Sequence, residues 1–258
     1  MKVIAIIPAR YASSRLPGKP LVEIRGKPLI QYVYERVIAS SVDQVVVATD
    51  DERIALKVKE FGGEAMLTAS HHRTGTERVA EVAAVTECDI VVNVQGDEPL
   101  IVPKDIDRVV FPLQHDPSID MTTLIAPLVE GADLFNPHVV KVVIDRQGFA
   151  LYFSRSPVPH SWDLRPAIGG DYASLYQHFQ DASEESLEGY WQHAGLYAFR
   201  KEFLLTITSL PPSPLEKREG LEQLRVLENG YAIKTVVTFT PSIGIDTPED
   251  LERFKSTL

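Results

Sequence analysis

Cysteine is almost missing from this sequence of 258 residues, which contains only Cys88. A single cysteine excludes an intrachain disulfide framework and a CxxC metal cluster. Long apolar runs are missing as well. The apolar part of the opening MKVIAIIPAR is too short for a signal peptide, and no segment of transmembrane length follows it. We therefore expect a cytoplasmic protein that is not inserted in a membrane.

Positive charge is in deficit, since 26 Lys and Arg residues face 36 Asp and Glu residues, for a net charge of -10. This balance argues against nucleic acid or an anionic membrane as a general partner. The sequence also lacks a GxxxxGK[ST] and a GxGxxG motif, so two common phosphate-binding loops are excluded. An anionic small molecule remains compatible with the sequence wherever cations are concentrated locally.

Short apolar, β-branched runs alternate with helical patterns in the first half of the chain. The strand-like runs are 2–7, 44–49, 89–95 and 141–145, and the helical patterns are 28–40, a segment from an Asp50 N-cap to about Phe61, and Thr76 to Thr86. Nearly continuous hydrophobicity is typical of strands that are covered on both faces. The alternation predicts a doubly wound α/β sandwich with a mostly parallel central sheet and helices on both faces.

The pattern changes after about residue 120. The segments 121–127 and 149–155 predict strands with short connections, and hence a small mixed β extension. Residues 157–190 have no clear periodicity and are predicted to form a loop or a small lobe. A helix around 215–229, a strand at 232–240 and a last helix complete the chain. Thr247 is the predicted N-cap of that helix.

The segment IIPARYASSRLPGKPL (6–21) begins as the first strand and continues into a cationic loop. Its cations and some of its small residues are Arg10, Arg15, Lys19, Ser13 and Gly18. A loop after the first strand of such a sheet lies at the carboxyl edge, where these folds bind ligands. Cations and free backbone N–H groups there suit an extended polyanion. The segment predicts a nucleotide triphosphate loop; the alternative is a solvated basic turn.

Two aspartates follow at places where a metal ligand would be useful. Asp97 lies at the end of the apolar strand in VNVQGDEPL (92–100), and Asp246 directly precedes the last helix in SIGIDTPEDLERF. Two separated carboxylates around Mg²⁺ are usual in phosphoryl and nucleotidyl transfer. The alternative is that Asp97 or Glu98 caps a helix that begins near Pro103.

A series of motifs resembles, in order, those of the 3-deoxy-D-manno-octulosonate (Kdo) cytidylyltransferase family, the CMP-Kdo synthetases. They are IIPARYASSRLPGKPL, HHRTGTERV, VNVQGDEP, ALYFSRSPVP, HAGLYAFR, PSPLEKREGLEQLRVLENG and GIDTPEDLERF. The resemblance runs from residue 3 to about 254, and residues 157–190 depart from it. It implies a Rossmann-like nucleotide-diphospho-sugar transferase fold. Residues 1–258 would form one domain, with an inserted sugar-site and dimerisation lobe at about 150–200, and the chain would form a homodimer.

The resemblance also implies a reaction: CTP and Kdo give CMP-Kdo and pyrophosphate with Mg²⁺, for lipopolysaccharide biosynthesis. The implied catalytic residues are Arg10, Lys19, Asp97 and Asp246, and the two aspartates would hold the metal. The implied triphosphate-binding residues are Arg10, Ser13 and Lys19. In the segment RTGTER (73–78), Gly75 and Arg78 are the expected residues of the cytosine pocket; the alternative is that backbone groups read the base. The implied sugar-binding residues are Arg15, Gln95, Arg155, His193, Tyr197, Glu222 and Gln223.

Several of these assignments have structural alternatives. A Glu222-Gln223 pair on a helix can be a solvated face, His193 can be a structural histidine, and Arg155 can tie its strand to a neighbouring acid. The same chemistry also suits other acceptors, namely an amino-substituted Kdo, sialic acid or methylerythritol phosphate. A catalytically silent nucleotide-binding protein is a further alternative, although it would not need Lys19 and both aspartates together.

Overall fold

The computed structural model describes residues 1–12, 16–161, 172–180, 187–240, 244–245 and 247–258. The chain divides into two compact units. Unit 1 comprises Met1–Thr122, Gly195–Ser209 and Pro241–Leu258, and unit 2 comprises Thr123–Ala194 and Leu210–Thr240. The inserted lobe at about 150–200 stays a prediction. Within the described ranges, every helix is too short or too polar to cross a membrane.

The secondary-structure elements alternate as the sequence predicts. The strands are β1 (Val3–Ala9), β2 (Glu23–Ile24), β3 (Lys27–Pro28), β4 (Gln44–Thr49), β5 (Ala65–Leu67), β6 (Ile90–Asn93), β7 (Met121–Pro127), β8 (Lys141–Ile144), β9 (Ala150–Ser154), β10 (Trp191–Arg200) and β11 (Lys234–Val237). The helices are α1 (Leu29–Ile38), α2 (Glu52–Glu60), α3 (Gly75–Val85), α4 (Pro103–His115), α5 (Gly131–Phe135), α6 (Tyr172–Gln180), α7 (Lys201–Ser209), α8 (Pro214–Glu219), α9 (Leu224–Glu228) and α10 (Pro248–Thr257). A short 3₁₀ helix spans Lys19–Leu21.

The sheet of unit 1 is built around β1. This strand pairs in parallel with β4 on one side and β6 on the other, and β5 pairs in parallel with β4. The second half of β10 runs antiparallel to β6 and sets Tyr197 opposite Asn93. Ile4 to Ile7 have no exposed surface, because helices cover both faces of β1, as its continuous apolar run predicts.

The order of the strands reverses next to β1. The chain passes from β1 to β4 and β5, and then returns to β6 on the other side of β1. Right-handed crossovers therefore place α1 and α2 on one face and α3 on the other; α1 packs on α4, and α3 packs on α7. The predicted doubly wound α/β arrangement is confirmed. The gap between the carboxyl ends of β1 and β6 is its switch point, where such folds bind ligands.

Unit 2 contains the predicted antiparallel extension. β8 pairs antiparallel with β9, with Lys141 opposite Ser154, and it also pairs antiparallel with the start of β10. Helix α6 packs on α5, and a core forms from these helices and the neighbouring loops. The buried residues of this core are Leu128, Leu134, Phe179, Leu187 and Tyr190. The strands predicted at 121–127 and 149–155 are confirmed as β7 and β9.

Two local predictions were wrong. The N-cap of α2 is Asp51, whose carboxylate accepts the Arg53 N–H, and not Asp50. The predicted helix at 215–229 is two helices, because Gly220 has a φ of 63° and this left-handed conformation ends α8. The segment 157–190, predicted as a loop or a small lobe because it has no clear periodicity, contains α6. The buried Phe179 of that helix packs in the unit 2 core, a tertiary contact that local periodicity does not reveal.

Candidate active site

A cavity of about 260 Å³ lies at the carboxyl ends of β1 and β6 in unit 1, at the switch point. Its lining residues are Pro8, Ala9, Arg10, Lys19, Pro20, His72, Arg73, Thr74, Gly75, Arg78, Gln95, Gly96 and Asp97. Four of these residues are lysine or arginine, and one is an acid. This chain of net negative charge therefore concentrates cations where an anionic ligand would bind.

The floor of the cavity depends on a close approach of two backbones. A Cβ atom at Gly96 would lie 2.7 Å from the carbonyl oxygen of Pro8, which is closer than real Cβ atoms approach. Glycine therefore lets the segment after β6 cross the end of β1, and this brings Gln95 and Asp97 to the cavity. The Gln95 amide donates a long hydrogen bond, 3.4 Å, to the carbonyl oxygen of Gly195.

Asp97 lies beside a lysine and the start of the last helix. Lys19 Nζ is 2.6 Å from Asp97 Oδ2 and donates a further hydrogen bond, 2.9 Å, to the carbonyl oxygen of Ile245. The Ile245 N–H donates to the Asp97 carbonyl oxygen at 2.9 Å. The side chain of Ile245 lies in a buried cluster with Leu251 and Phe254. The residue just before Asp246 is thus fixed against Asp97. Asp246 itself lies outside the described residues.

The alternative of a helix-capping role at Asp97 or Glu98 was wrong. The N-cap of α4 is Val102, and this cap makes no side-chain hydrogen bond. The carboxylate of Asp97 instead pairs with Lys19 at the cavity, because the loop after β6 turns towards the end of β1 before α4 begins.

The cationic loop after β1 brings two of its predicted residues to the cavity. Arg10 is exposed there, and Lys19 lies at the start of the short 3₁₀ helix. The Gly18 N–H donates to the Tyr11 carbonyl oxygen at 3.0 Å, which closes the loop. The predicted ligand-binding residues Ser13 and Arg15 fall outside the described part of the chain.

The opposite wall comes from the segment before α3 and from its first turn. Thr74 caps α3 by accepting the Glu77 N–H, and Gly75 and Arg78 line the cavity. Arg78 is only 4% exposed, and its Nη2 lies 3.1 Å from Asp50 Oδ2. Residues predicted for the cytosine pocket and for the triphosphate therefore line one cavity. His72 also lines it and was missed, although it directly precedes the RTGTER motif.

Arg155 of unit 2 is held mainly by backbone carbonyl groups. Its Nε donates to the carbonyl oxygen of Glu219 at 2.7 Å and its Nη1 to that of Pro137 at 2.7 Å. Its Nη2 lies 3.3 Å from the carbonyl oxygen of Gly220. The backbone N–H of Arg155 donates to the Glu219 carboxylate at 2.9 Å. These contacts support a structural task for the guanidinium, and its role towards a sugar acid stays a prediction.

His193, also in unit 2, lies in an apolar setting that keeps it neutral. Desolvation lowers the pKa of His193 to about 4, so the ring is uncharged at pH 7. Its Nε2 lies 2.9 Å from Thr123 Oγ1, and its ring meets the ring of Phe153 edge to face. A neutral histidine can donate from one nitrogen and accept at the other.

Glu222 and Gln223 lie in a turn, and their predicted placement on a helix was wrong. Gln223 is the N-cap of α9 and is only 5% exposed, so the alternative that it belongs to a solvated helix face is also wrong. Its Nε2 is buried and has no hydrogen-bond partner among the described residues. A buried donor without a partner destabilises the fold, and a ligand hydroxyl would satisfy it.

Fold and cavity together define a class. A doubly wound α/β unit carries, at its switch point, a cation-lined cavity with an aspartate beside a lysine. This arrangement is typical of a nucleotide-binding enzyme that handles a triphosphate.

Comparisons with known proteins agree with this class. The family model described as "Cytidylyltransferase" matches residues 4–236. The chain is 54% identical to a 3-deoxy-manno-octulosonate cytidylyltransferase of Syntrophotalea carbinolica (100% of this chain, 99% of the relative). It is 51% identical to that of Geobacter metallireducens (98% and 96%). A solved structure of CMP:2-keto-3-deoxy-manno-octonic acid synthetase with CTP is similar at a TM-score of 0.87 and 40% identity (100% and 98%). The chain belongs to the 3-deoxy-manno-octulosonate cytidylyltransferase family.

Proposed function

We propose that this chain transfers the cytidylyl group of CTP to the anomeric hydroxyl of Kdo, giving CMP-Kdo and pyrophosphate for lipopolysaccharide assembly. The observation that carries the proposal is the cavity at the switch point, in which Lys19 Nζ lies 2.6 Å from Asp97. CTP as the nucleotide is supported by the CTP complex of the similar synthetase. Kdo as the acceptor is supported by the names of the relatives that match over their full length.

Arg10 and Lys19 are proposed to hold the triphosphate, together with Ser13. Negative charge grows on the phosphate oxygens as pyrophosphate leaves, so fixed cations stabilise the transition state more than the bound substrate. Lys19 is well placed for this because it is the first residue of the 3₁₀ helix and lies on the cavity surface. Gly75 and Arg78 are proposed to face the cytosine.

Asp97 and Asp246 are proposed to hold Mg²⁺. The donor set fits this ion: Asp97 offers carboxylate oxygens on the cavity surface, and magnesium prefers one or two carboxylates together with phosphate oxygens. Mg²⁺, when bound, neutralises phosphate charge and lowers the pKa of an attacking hydroxyl. If Asp97 exchanged Lys19 for the ion, the Lys19 ammonium would become available to the phosphates.

The sugar-binding roles are proposals as well. Kdo carries a carboxylate and several hydroxyl groups, so its site needs both cations and neutral hydrogen-bonding groups. In unit 2 the buried Gln223 amide offers an unused donor, and the neutral His193 ring can serve a hydroxyl. The proposed sugar-binding residues of unit 1 are Arg15, Gln95 and Tyr197, and those of unit 2 are Arg155, His193, Glu222 and Gln223.

A homodimer is proposed on the family resemblance. Exposed apolar side chains of unit 2 that a second copy could cover include Leu151, Val237 and Phe239, of which Phe239 is 78% exposed. Light scattering coupled to size-exclusion chromatography should give twice the mass of the chain, and a monomer at micromolar concentration would contradict the dimer.

One assay tests the proposed reaction. Purified protein is incubated with CTP, Mg²⁺ and one acceptor at a time, namely Kdo, an amino-substituted Kdo, sialic acid or methylerythritol phosphate, and pyrophosphate release is followed. We expect release with Kdo and none when EDTA removes the metal. Faster release with another acceptor would assign that compound as the substrate in place of Kdo. Absence of pyrophosphate release with every acceptor would indicate a silent nucleotide-binding protein.

A further inference from the structure

Two side chains of α3 hold one short segment of chain from both sides. Arg78 and Glu81 are three residues apart, so they project from the same face of the helix. The Ala69 N–H donates to Glu81 at 3.0 Å (Oε2) and 3.3 Å (Oε1). Arg78 Nη1 donates to the hydroxyl of Thr68 and lies 3.5 Å from the Ala69 carbonyl oxygen. The backbone of Ala69 is thus fixed at its N–H by one side chain and contacted at its C=O by the other.

The same two side chains are connected to the cavity. Arg78 lines the cavity, and Glu81 accepts a hydrogen bond from the ring of His72, which also lines it. This hydrogen bond lowers the pKa of Glu81, so the carboxylate stays charged. A charged carboxylate only accepts, and it therefore fixes the proton of His72 on Nε2.

Asp50 completes the arrangement from the neighbouring strand. It follows the end of β4 and pairs with Arg78 at 3.1 Å, while Asp51 takes the helix-capping task that sequence reasoning gives to Asp50. Asp50 and Glu81 are not among the residues that line the cavity. Both carboxylates thus contact lining residues without lining the cavity, so they can stay with Arg78 and His72 when a ligand binds.

We propose that Asp50 and Glu81 are positioning residues for the nucleobase end of the cavity, an inference that rests on the proposed function. The wall they support presents Arg78 and His72 with a carboxylate behind each. The Arg78 guanidinium, whose charge Asp50 compensates, suits an uncharged base better than a phosphate chain, and the His72 ring is held in place by Glu81. The wall that carries Arg10 and Lys19 differs, because there the acid near the cations, Asp97, lines the cavity itself.

The test separates the base from the phosphates. Calorimetry measures the Kd of wild type, Asp50→Asn and Glu81→Gln for CTP and for inorganic tripolyphosphate, which has no base. We expect each substitution to raise the Kd for CTP about tenfold and to leave the Kd for tripolyphosphate unchanged. A tenfold change is the size expected when a buried group loses its partner. Glu81→Asp keeps the charge and should recover part of the CTP affinity. Unchanged CTP affinity, or an equal loss for both ligands, would overturn the inference.

Two further variants control for stability. Asp105→Asn removes a buried acid of α4 that pairs with Arg108 at 2.6 Å and does not line the cavity. It should lower the melting temperature and leave the Kd for CTP unchanged. Thr68→Val removes only the hydroxyl that receives Arg78, and it serves if Asp50→Asn fails to fold; normal CTP affinity in Thr68→Val would count against the inference. Wild type that does not bind CTP would instead contradict the proposed function.

Discussion

Two cations at the cavity of unit 1 and two cations of unit 2 are held in different ways. In unit 1, Lys19 and Arg78 each pair with a carboxylate, Asp97 and Asp50, at the wall of a cavity. In unit 2, the fully buried Lys141 donates to the carbonyl oxygens of Asn136 and Val139 at 2.8 and 2.6 Å. Arg155 likewise donates to carbonyl oxygens. A carboxylate can exchange its lysine for a metal or a substrate, whereas a carbonyl group is tied to the fold.

This difference assigns tasks to the cations. Cations paired with acids at the cavity are expected to act on ligands, and removing them should change affinity or rate. Cations held by carbonyl groups are expected to support the loops that they join, and removing them should change stability. Burial lowers the pKa of Lys141 to about 8, and the attraction of Asp133 and Glu219 offsets only part of this shift.

The largest effect is expected at Asp97. Asp97→Asn keeps the shape of the side chain but removes the charge that faces Lys19, and it also removes a proposed metal ligand. Turnover should fall about 100-fold or more, with little change in melting temperature. Steady-state rates at saturating Mg²⁺ test this. Turnover close to that of wild type would remove Asp97 from the metal site.

Lys19→Ala should come next, with a fall in kcat of about tenfold or more together with weaker CTP binding. The charge on the leaving group grows in the transition state, so the lysine contributes more there than in the bound substrate. Measuring kcat and the KM for CTP separately tests the split. A change confined to KM would make Lys19 a binding residue only.

Arg155→Lys sharpens the comparison from the other side. Lysine keeps the charge but cannot donate to three carbonyl groups in the geometry of a guanidinium. If Arg155 mainly joins the loops around Pro137 and Glu219, the melting temperature should fall by a few degrees, in line with about 1 kcal/mol lost. The KM for Kdo, measured on the same preparation, decides the other role. A large rise in that KM at unchanged melting temperature would support contact with the sugar carboxylate.

The smallest effect is expected from His193. Its pKa is lowered to about 4 in the fold, below the ordinary value of about 6.5, so between these values the unfolded chain binds more protons. The contribution of His193 to stability is therefore full above about pH 6.5 and is lost as the pH falls towards 4. Urea unfolding gives the free energy of unfolding of wild type and His193→Gln, and the difference between the two proteins should be slightly smaller at pH 6 than at pH 7. The same difference at both pH values would contradict a buried neutral ring.

Local sequence patterns predicted some features well. The β4 strand has the bounds that its apolar run predicts, and Thr247 caps α10 with a reciprocal hydrogen bond from Asp250. The strand-then-loop pattern also placed Arg10, Lys19 and Asp97 at the carboxyl edge. These predictions succeed because an apolar run and a capping pair are satisfied by neighbours in the chain.

The partners of the charged side chains could not be predicted from local sequence patterns. Arg155 binds carbonyl groups 18 to 65 residues away, and Asp50 pairs with an arginine 28 residues away. Neither separation follows a helical or strand period. Gln223 looked like part of an exposed helix face and is buried in a turn.

The sequence by itself determined the alternating α/β order, the edge of the sheet where the cations and Asp97 lie, and the family. Tertiary structure alone decided which charges compensate one another: Asp50 with Arg78 behind the cavity wall, and Asp97 with Lys19 on its surface. The physical reason is range. Apolar periodicity and caps act between residues a few positions apart, whereas an ion pair or a buried donor depends on which distant segments the packed sheet brings together.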